Sequence, residues 1–115
     1  MNKARIRNET DHSFDSDLAT EIGVNASLLG CFICHICKDY FLEEVKEYNN
    51  KYWINCSLND WLSYFNYLGE SQIKTALNKL LKRGYIERAF LSEHKWDRTY
   101  YYTYTDKLED DLYHE

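Results

Sequence analysis

The feature that most constrains the fold is a change of hydrophobic period between residues 57 and 105. Apolar side chains first recur at helical spacing in two consecutive segments, and they then alternate as they do in strands. In the second helical segment, residues 70–83, the apolar stripe comprises Ile73, Ala76, Leu77, Leu80 and Leu81. Gly84 follows it as a left-handed helix cap. We therefore expect two short helices followed by a hairpin of strands 85–91 and 99–105.

The first of these helices has its own start signal. Ser57 and Asp60 resemble a capping box in which Asp replaces the usual Glu, and Asn66 begins the turn after the helix. Residues 52–56 have the composition of a strand in front of it. A strand, a helix-turn-helix and a hairpin, in this order, are typical of a winged helix-turn-helix, a module usually used to hold DNA. The predicted class is mostly α with a small antiparallel β-sheet.

An extra N-terminal helix is expected before this module. It spans residues 26–48, and its first half, up to Cys37, is apolar almost all round, so it must be covered on more than one side. Either the domain core covers it, or a second copy of the chain does, as a homodimer through the 26–48 helix. The expected organisation is a polar N-terminal segment with a short helical turn (1–25), a winged-helix domain with its leading helix (26–105) and an acidic C-terminal tail (106–115).

Charge is unevenly distributed along the chain. The net charge of −5 argues against a general polyanion binder, but residues 57–105 carry seven basic and five acidic side chains, a balance of +2. Residues 106–115 carry one basic and five acidic side chains. Such a tail is most often a solvated end, with self-inhibition or a basic partner as the alternative.

Nothing in the sequence indicates export or a membrane. Residues 8–17 are polar where a signal peptide would need an apolar core. No run approaches the ~20 apolar residues of a membrane span. The expectation is a cytoplasmic protein, in a bacterium or a phage-infected host cell, whose four cysteines are reduced.

Three cysteines imitate cofactor motifs. Cys31, Cys34 and His35 match the haem-attachment pattern, and Cys31, Cys34 and Cys37 have an iron–sulfur spacing. All of them lie in a predicted apolar helix, where cysteine packs as a small hydrophobic residue. Successive members also turn by ~60° around the helix, which suits a tetrahedral site poorly. Core packing is favoured over a zinc or iron–sulfur site, and no cofactor is expected.

Catalysis finds little support in the sequence. The four histidines stand apart from any recognisable arrangement of nucleophile and carboxylate, and the four glycines form no phosphate-binding loop. The tyrosines of the last strand are typical of core and wing packing. We expect a protein that is not an enzyme.

The segment 70–83 is the natural recognition helix. With its apolar stripe inward, its outward residues are Ser71, Gln72, Lys74, Thr75, Asn78 and Lys79. Gln and Asn suit adenine edges, and Lys and Ser suit phosphate or guanine. In the wing, Lys95 and Arg98 could reach the backbone beside the groove. These eight residues are the predicted contacts to double-stranded DNA, and a solvated helix face on a protein-binding winged helix is the alternative.

Several short pieces of sequence carry a family resemblance. They are LATEIG at 18–23, YWI at 52–54, Trp61, the segment 73–81, GYI at 84–86, and Asp97-Arg98-Thr99 leading into Tyr101 and Tyr102. In these pieces the chain resembles winged-helix proteins of bacteriophages and mobile elements associated with replication initiation. The resemblance implies DNA binding in a phage or plasmid context, in replication or transcription control.

The chain departs from that family where a phosphate would approach the recognition helix. Family members carry a Ser and several Arg or Lys there, whereas this chain has Gly69-Glu70-Ser71-Gln72. Acidic flanks on such a core suggest a second class: a small acidic phage protein that inhibits a host defence or nucleic-acid enzyme by protein–protein binding. Anti-CRISPR inhibitors that occupy a nucleic-acid channel with carboxylates are the comparison. The partner would then be a host protein.

Overall fold

A computed structural model describes residues 12–39, 42–94 and 96–113. Within these residues the chain forms five helices and four strands. They are α1 (Ser16–Ile22), α2 (Val24–Cys37), β1 (Val45–Tyr48), β2 (Lys51–Asn55), α3 (Leu58–Tyr64), α4 (Glu70–Lys82), β3 (Ile86–Ala89), β4 (Tyr101–Tyr104) and α5 (Asp106–Tyr113). The expectation of helices combined with a small antiparallel sheet is confirmed at this level.

The four strands form one antiparallel sheet in the order β1-β2-β4-β3. Ile54 of β2 lies opposite Tyr102 of β4, and Arg88 of β3 lies opposite Tyr102 on its other side. The strand that precedes α3 and α4 therefore pairs with the last strand of the chain. This pairing joins the strand before α3 and α4 to the last strand of the hairpin that follows them.

The predicted 26–48 helix is wrong beyond its first half. The helix ends at Cys37, and residues 45–48 form β1 instead. Asn49 and Asn50 take φ values of 53° and 61°, the left-handed pair that a tight hairpin turn requires. Pairing with β2 then buries Val45 opposite Ile54, which a continued helix would not do. Residues 40 and 41, expected in the same helix, lie outside the described residues.

The chain itself covers α2 on several sides. Ten of its fourteen residues are buried, against α1, α4, α5 and the sheet. A Cβ atom at Gly30 would lie 3.2 Å from Leu80 Cδ2 and 3.7 Å from Leu108 Cδ1, so both α4 and α5 approach the α2 backbone closely there. The domain core thus supplies the cover that the apolar sequence of α2 requires, and a homodimer stays a prediction.

The acidic C-terminal residues differ from the expected solvated end. Residues 106–113 form α5, because Leu108 and Leu112 stand four residues apart and give the helix an apolar side. Leu108 is fully buried. Lys38, directly after α2, forms a hydrogen-bonded ion pair with Glu109. This hydrogen bond raises the pKa of the lysine above its usual value. Asp106 and Asp110 are exposed, whereas Asp111 is half-buried and adds, through a hydrogen bond, to the rise that burial causes in the pKa of Tyr85.

The predicted turn before α2 is confirmed as α1. Asp15 caps this helix, since its Oδ1 accepts a hydrogen bond of 2.8 Å from the backbone N–H of Leu18. Gly23 then takes a φ of 94° between α1 and α2. None of the helices described is long and apolar enough to cross a membrane.

Candidate nucleic-acid interface

Helix α4 is built as the sequence predicts. It begins at Glu70, and Gln72 Oε1 accepts a hydrogen bond of 2.8 Å from the backbone N–H of Gly69. Arg83 and Gly84 follow its last turn, and Gly84 has a φ of 75°. The stripe of Ile73, Ala76, Leu77 and Leu80 is buried. The outward residues are all exposed, namely Ser71, Gln72, Lys74, Thr75, Asn78 and Lys79.

These six residues do not form one continuous surface. Ser71, Gln72, Thr75 and Lys79 border a hollow beside the turn between α1 and α2. The Nζ atom of Lys79 donates a long hydrogen bond of 3.4 Å to the carbonyl of Ile22 there. Lys74 and Asn78 line a groove on the other side of α4, towards the sheet. The exposed side of α4 therefore has two polar edges, one towards the α1–α2 turn and one towards the sheet.

The second edge belongs to a groove of about 540 Å³ between α3, α4 and the β3–β4 hairpin, here called the basic groove. Its polar walls include Lys74, Asn78, Arg88 and Arg98. Its apolar walls include Leu58, Trp61, Leu77, Tyr100 and Tyr102. Among the described residues that line it there is no carboxylate. Three cationic side chains therefore converge on one concave surface of a protein whose net charge is −5.

Arg88 is the residue of this groove that the sequence reasoning missed. It is exposed on β3, and its Cζ atom lies 4.3 Å from the centre of the Tyr100 ring. It stands two positions after the buried Ile86 and so shares a face of the strand with it. The sequence shows that Arg88 and Ile86 share a face of the strand. It does not show which face of the sheet lies towards α4.

Of the two predicted wing residues, Arg98 lies within the described part of the chain. Arg98 is exposed, lines the basic groove and has its Cζ atom 5.9 Å from the centre of the Phe90 ring. Asp97 Oδ1 accepts a hydrogen bond of 2.9 Å from the backbone N–H of Thr99, which lowers the pKa of Asp97 and fixes the turn around Arg98. Lys95 lies outside the described residues.

Lys74 forms an ion pair of 3.0 Å with Glu70, one helical turn earlier. Both side chains are more than half exposed, at 61% and 56%. An exposed pair of this kind contributes about 0–1 kcal/mol, so a phosphate can compete with Glu70 for the ammonium group. Glu70 therefore lowers the positive potential on this edge of α4, but Lys74 keeps its charge and can still meet a phosphate.

One buried donor stands at the wall of the basic groove. Trp61 is 1% exposed, and although burial raises the pKa of Tyr102 by more, a hydrogen bond from the Trp61 side chain lowers it. The Trp61 ring packs edge-on against the ring of Tyr102, with centroids 5.7 Å apart. Burial raises the pKa of the Tyr102 hydroxyl, which keeps it protonated and able to donate.

A second hollow has the opposite charge. Glu43, Glu44, Glu47 and Asp60 line a depression of about 760 Å³ beside the β1–β2 hairpin, here called the acidic hollow. Asp60 also completes the predicted capping box of α3, because its Oδ2 accepts a hydrogen bond of 2.9 Å from the backbone N–H of Ser57. Ser57 lines the basic groove. The start of α3 thus joins the two charged regions.

The cysteines are part of the packed interior. Cys34, Cys37 and Cys56 are buried, Cys31 is half-buried, and all four are free thiols. Burial raises the pKa of each of them, that of Cys37 to about 12, so their thiolate forms are disfavoured. In the segments that the structure describes, no three His, Cys, Asp or Glu side chains are placed to hold a metal ion.

Comparisons with known proteins add no relative. No family model matches the sequence, and neither a curated protein nor a solved structure is similar to it.

Proposed function

We propose that the chain is a DNA-binding winged helix-turn-helix protein of the phage or mobile-element type, acting in replication or transcription control. In this proposal α3 and α4 are the helix-turn-helix, and β3 and β4 form the wing. One observation carries the proposal: Lys74, Arg88 and Arg98 converge on a groove beside the exposed face of α4, with no carboxylate among its described lining residues. The order of the elements and the pairing of β2 with β4 support the fold it requires.

The geometry suggests how duplex DNA would be held. The outward side of α4 would enter the major groove, where Gln72 on one edge and Asn78 on the other have the amide groups that pair with adenine edges. Ser71, Thr75 and Lys79 lie on one flank of the helix, and Lys74 and Arg98 lie on the other. The two edges would therefore contact the two phosphate backbones that border the groove. Such contacts set register and affinity, while the amides supply sequence preference.

A salt titration tests the proposal. Binding of the protein to a labelled DNA duplex is followed by fluorescence anisotropy at several salt concentrations, for the wild type, Lys74→Ala and Arg98→Ala. Each lost phosphate contact should weaken binding and reduce the slope of log affinity against log salt by about 0.9. Lys51→Ala is the matched control, because Lys51 pairs with Glu87 outside the basic groove and its removal changes the net charge equally. Unchanged affinity and slope in both groove variants would contradict the proposal.

The acidic hollow favours a second candidate function, inhibition of a host nucleic-acid enzyme by protein–protein binding. Glu43, Glu44, Glu47 and Asp60 lie together beside β1 and β2, where they could occupy a basic channel of another protein. Pull-down from nuclease-treated bacterial lysate tests it, with Glu43→Gln and Glu47→Gln as one double variant. A stoichiometric protein complex that forms without DNA and is lost in the variant supports inhibition. If the wild type recovers no protein, this candidate is wrong.

A further inference from the structure

The described part of the wing, residues 86–94 and 96–104, exposes aromatic surface. The rings of Phe90 and Tyr100 are stacked, with centroids 4.4 Å apart and an angle of 12° between their planes. Phe90 is nevertheless 48% exposed. Trp96, near the end of the wing, is 79% exposed, and one of its contacts is a stack on the ring of His94, with centroids 5.2 Å apart. Phe90 and Trp96 therefore offer aromatic surface to a binding partner.

Two guanidinium groups accompany the stacked rings. Arg88 lies over Tyr100 at 4.3 Å, and Arg98 lies near Phe90 at 5.9 Å. Both arginines also line the basic groove, so the stack and the groove form one continuous surface. Flat apolar faces next to positive charges are the combination that binds single-stranded nucleic acid, because each base offers a π-face and each phosphate a negative charge.

Duplex DNA cannot use these ring faces. Its bases are stacked on each other and present only their edges in the grooves. An unpaired base can lie flat on Phe90 or Trp96 while its phosphates meet Arg88 and Arg98. The basic groove has about 540 Å³, within the range of about 300–1,000 Å³ that is usual for ligand sites. Its tyrosine and tryptophan walls suit a planar ring as well.

We propose that the Phe90–Tyr100 stack, Trp96 and the basic groove bind unpaired nucleotides of a DNA strand, next to the duplex that α4 contacts. The inference rests on the proposed function and makes it more specific: the substrate is a junction between double-stranded and single-stranded DNA. Phe90 and Trp96 supply the stacking faces. Arg88 and Arg98 neutralise the phosphates of the unpaired strand.

Three probes separate the possibilities. They are a blunt duplex, the same duplex with a short single-stranded extension on either strand, and the single strand alone, each labelled for fluorescence anisotropy. The wild type should bind the extended duplex at least about tenfold more tightly than the blunt one, the gain expected from stacking of one or two bases. Phe90→Leu and Trp96→Leu should each remove most of this gain and leave blunt-duplex binding within about twofold, because leucine keeps apolar volume but offers no flat face.

Tyr48→Leu is the matched control, since Tyr48 is a similarly exposed aromatic residue outside the wing, at 47%. It should retain the full preference for the extended duplex. The Trp96→Leu variant should fold normally, because a side chain that is 79% exposed contributes little to the core.

The outcomes are distinct. Equal affinity of the wild type for blunt and extended duplexes overturns the inference and leaves duplex binding standing. Equal weakening of all probes by Phe90→Leu and Trp96→Leu also overturns it, because the rings would then act only on the fold. If the wild type binds none of the probes, the proposed function falls and the inference with it.

Discussion

The basic groove and the acidic hollow are of comparable size and meet at the start of α3, yet they carry opposite charge. The groove collects Lys74, Arg88 and Arg98, whereas the hollow collects four carboxylates and a single lysine, Lys46. The net charge of −5 describes neither region. Binding to another molecule depends on the local field at the surface that meets it, so the sign of the whole chain is a poor guide to its partner.

The two regions also differ in how the sequence builds them. Three of the acidic residues lie within five consecutive positions, 43–47, so a local reading of the sequence detects them. The basic residues come from α4, β3 and the segment before β4, and only the folded sheet brings them together. A charge cluster that depends on long-range pairing is therefore invisible in composition.

The largest expected effect comes from reversing one charge in each region. Arg98→Glu should weaken duplex binding by about 2 kcal/mol, roughly thirtyfold, because it removes a charge-assisted contact and adds repulsion. Glu47→Lys, which shifts the net charge by the same amount in the opposite direction, should change affinity by no more than about threefold. Anisotropy titrations at one salt concentration measure both. Effects of equal size and opposite sign would mean that affinity follows net charge and that the groove has no special role.

The next effect separates structural from solvated carboxylates within the acidic hollow. Asp60→Ala should lower the free energy of unfolding by about 1 kcal/mol, because the capping box of α3 loses one of its two hydrogen bonds. Glu47→Ala should stay within about 0.5 kcal/mol. Urea denaturation followed by circular dichroism measures both, and Asp60→Glu, the more usual capping residue, should recover the loss. No loss in Asp60→Ala would show that the hollow is independent of the helix it adjoins.

The smallest effect concerns Asp97, the residue next to Arg98 in the sequence of the wing. The backbone N–H of Thr99, followed by its hydroxyl, lowers the pKa of Asp97 below its ordinary value of about 3.9. Since the folded pKa is lowered, the stabilisation is present above that ordinary value and is lost as the pH falls through the folded one. Carbon-detected NMR of the Asp97 carboxyl group should give a midpoint below the ordinary value. Thr99→Val should raise it only part of the way, because the backbone bond remains. A wild-type midpoint at or above the ordinary value would contradict the hydrogen-bonded turn.

Local signals account for the part of the fold that was predicted. Ser57 with Asp60, and the stripe of α4 ending at Gly84, specify helix limits through contacts within a few residues. Residues 38–48 carried no such signal, and Val45 and Tyr48 fit a helical stripe as well as a strand. Pairing with β2 decided between them, and that pairing depends on residues beyond the turn.

The candidate site divides in the same way. The exposure of the α4 residues followed from helical period alone, and the structure agrees with it. The separation of these residues into two edges could not be predicted from the helical period, because it depends on where α1 and the sheet pack against α4. Arg88 was missed for the same reason: its place in the groove comes from the register between β3 and β4.

The close packing at Gly30 has a practical consequence for separating the two candidate functions. Leu80 of α4 and Leu108 of α5 rest on the same point of α2, so deleting the acidic end of the chain would also remove the packing of α2 beside α4. A shortened protein would then bind DNA differently for mechanical reasons as well as electrostatic ones. Point substitutions of the exposed Asp106 and Asp110, with Leu108 left in place, change the charge and keep that packing intact.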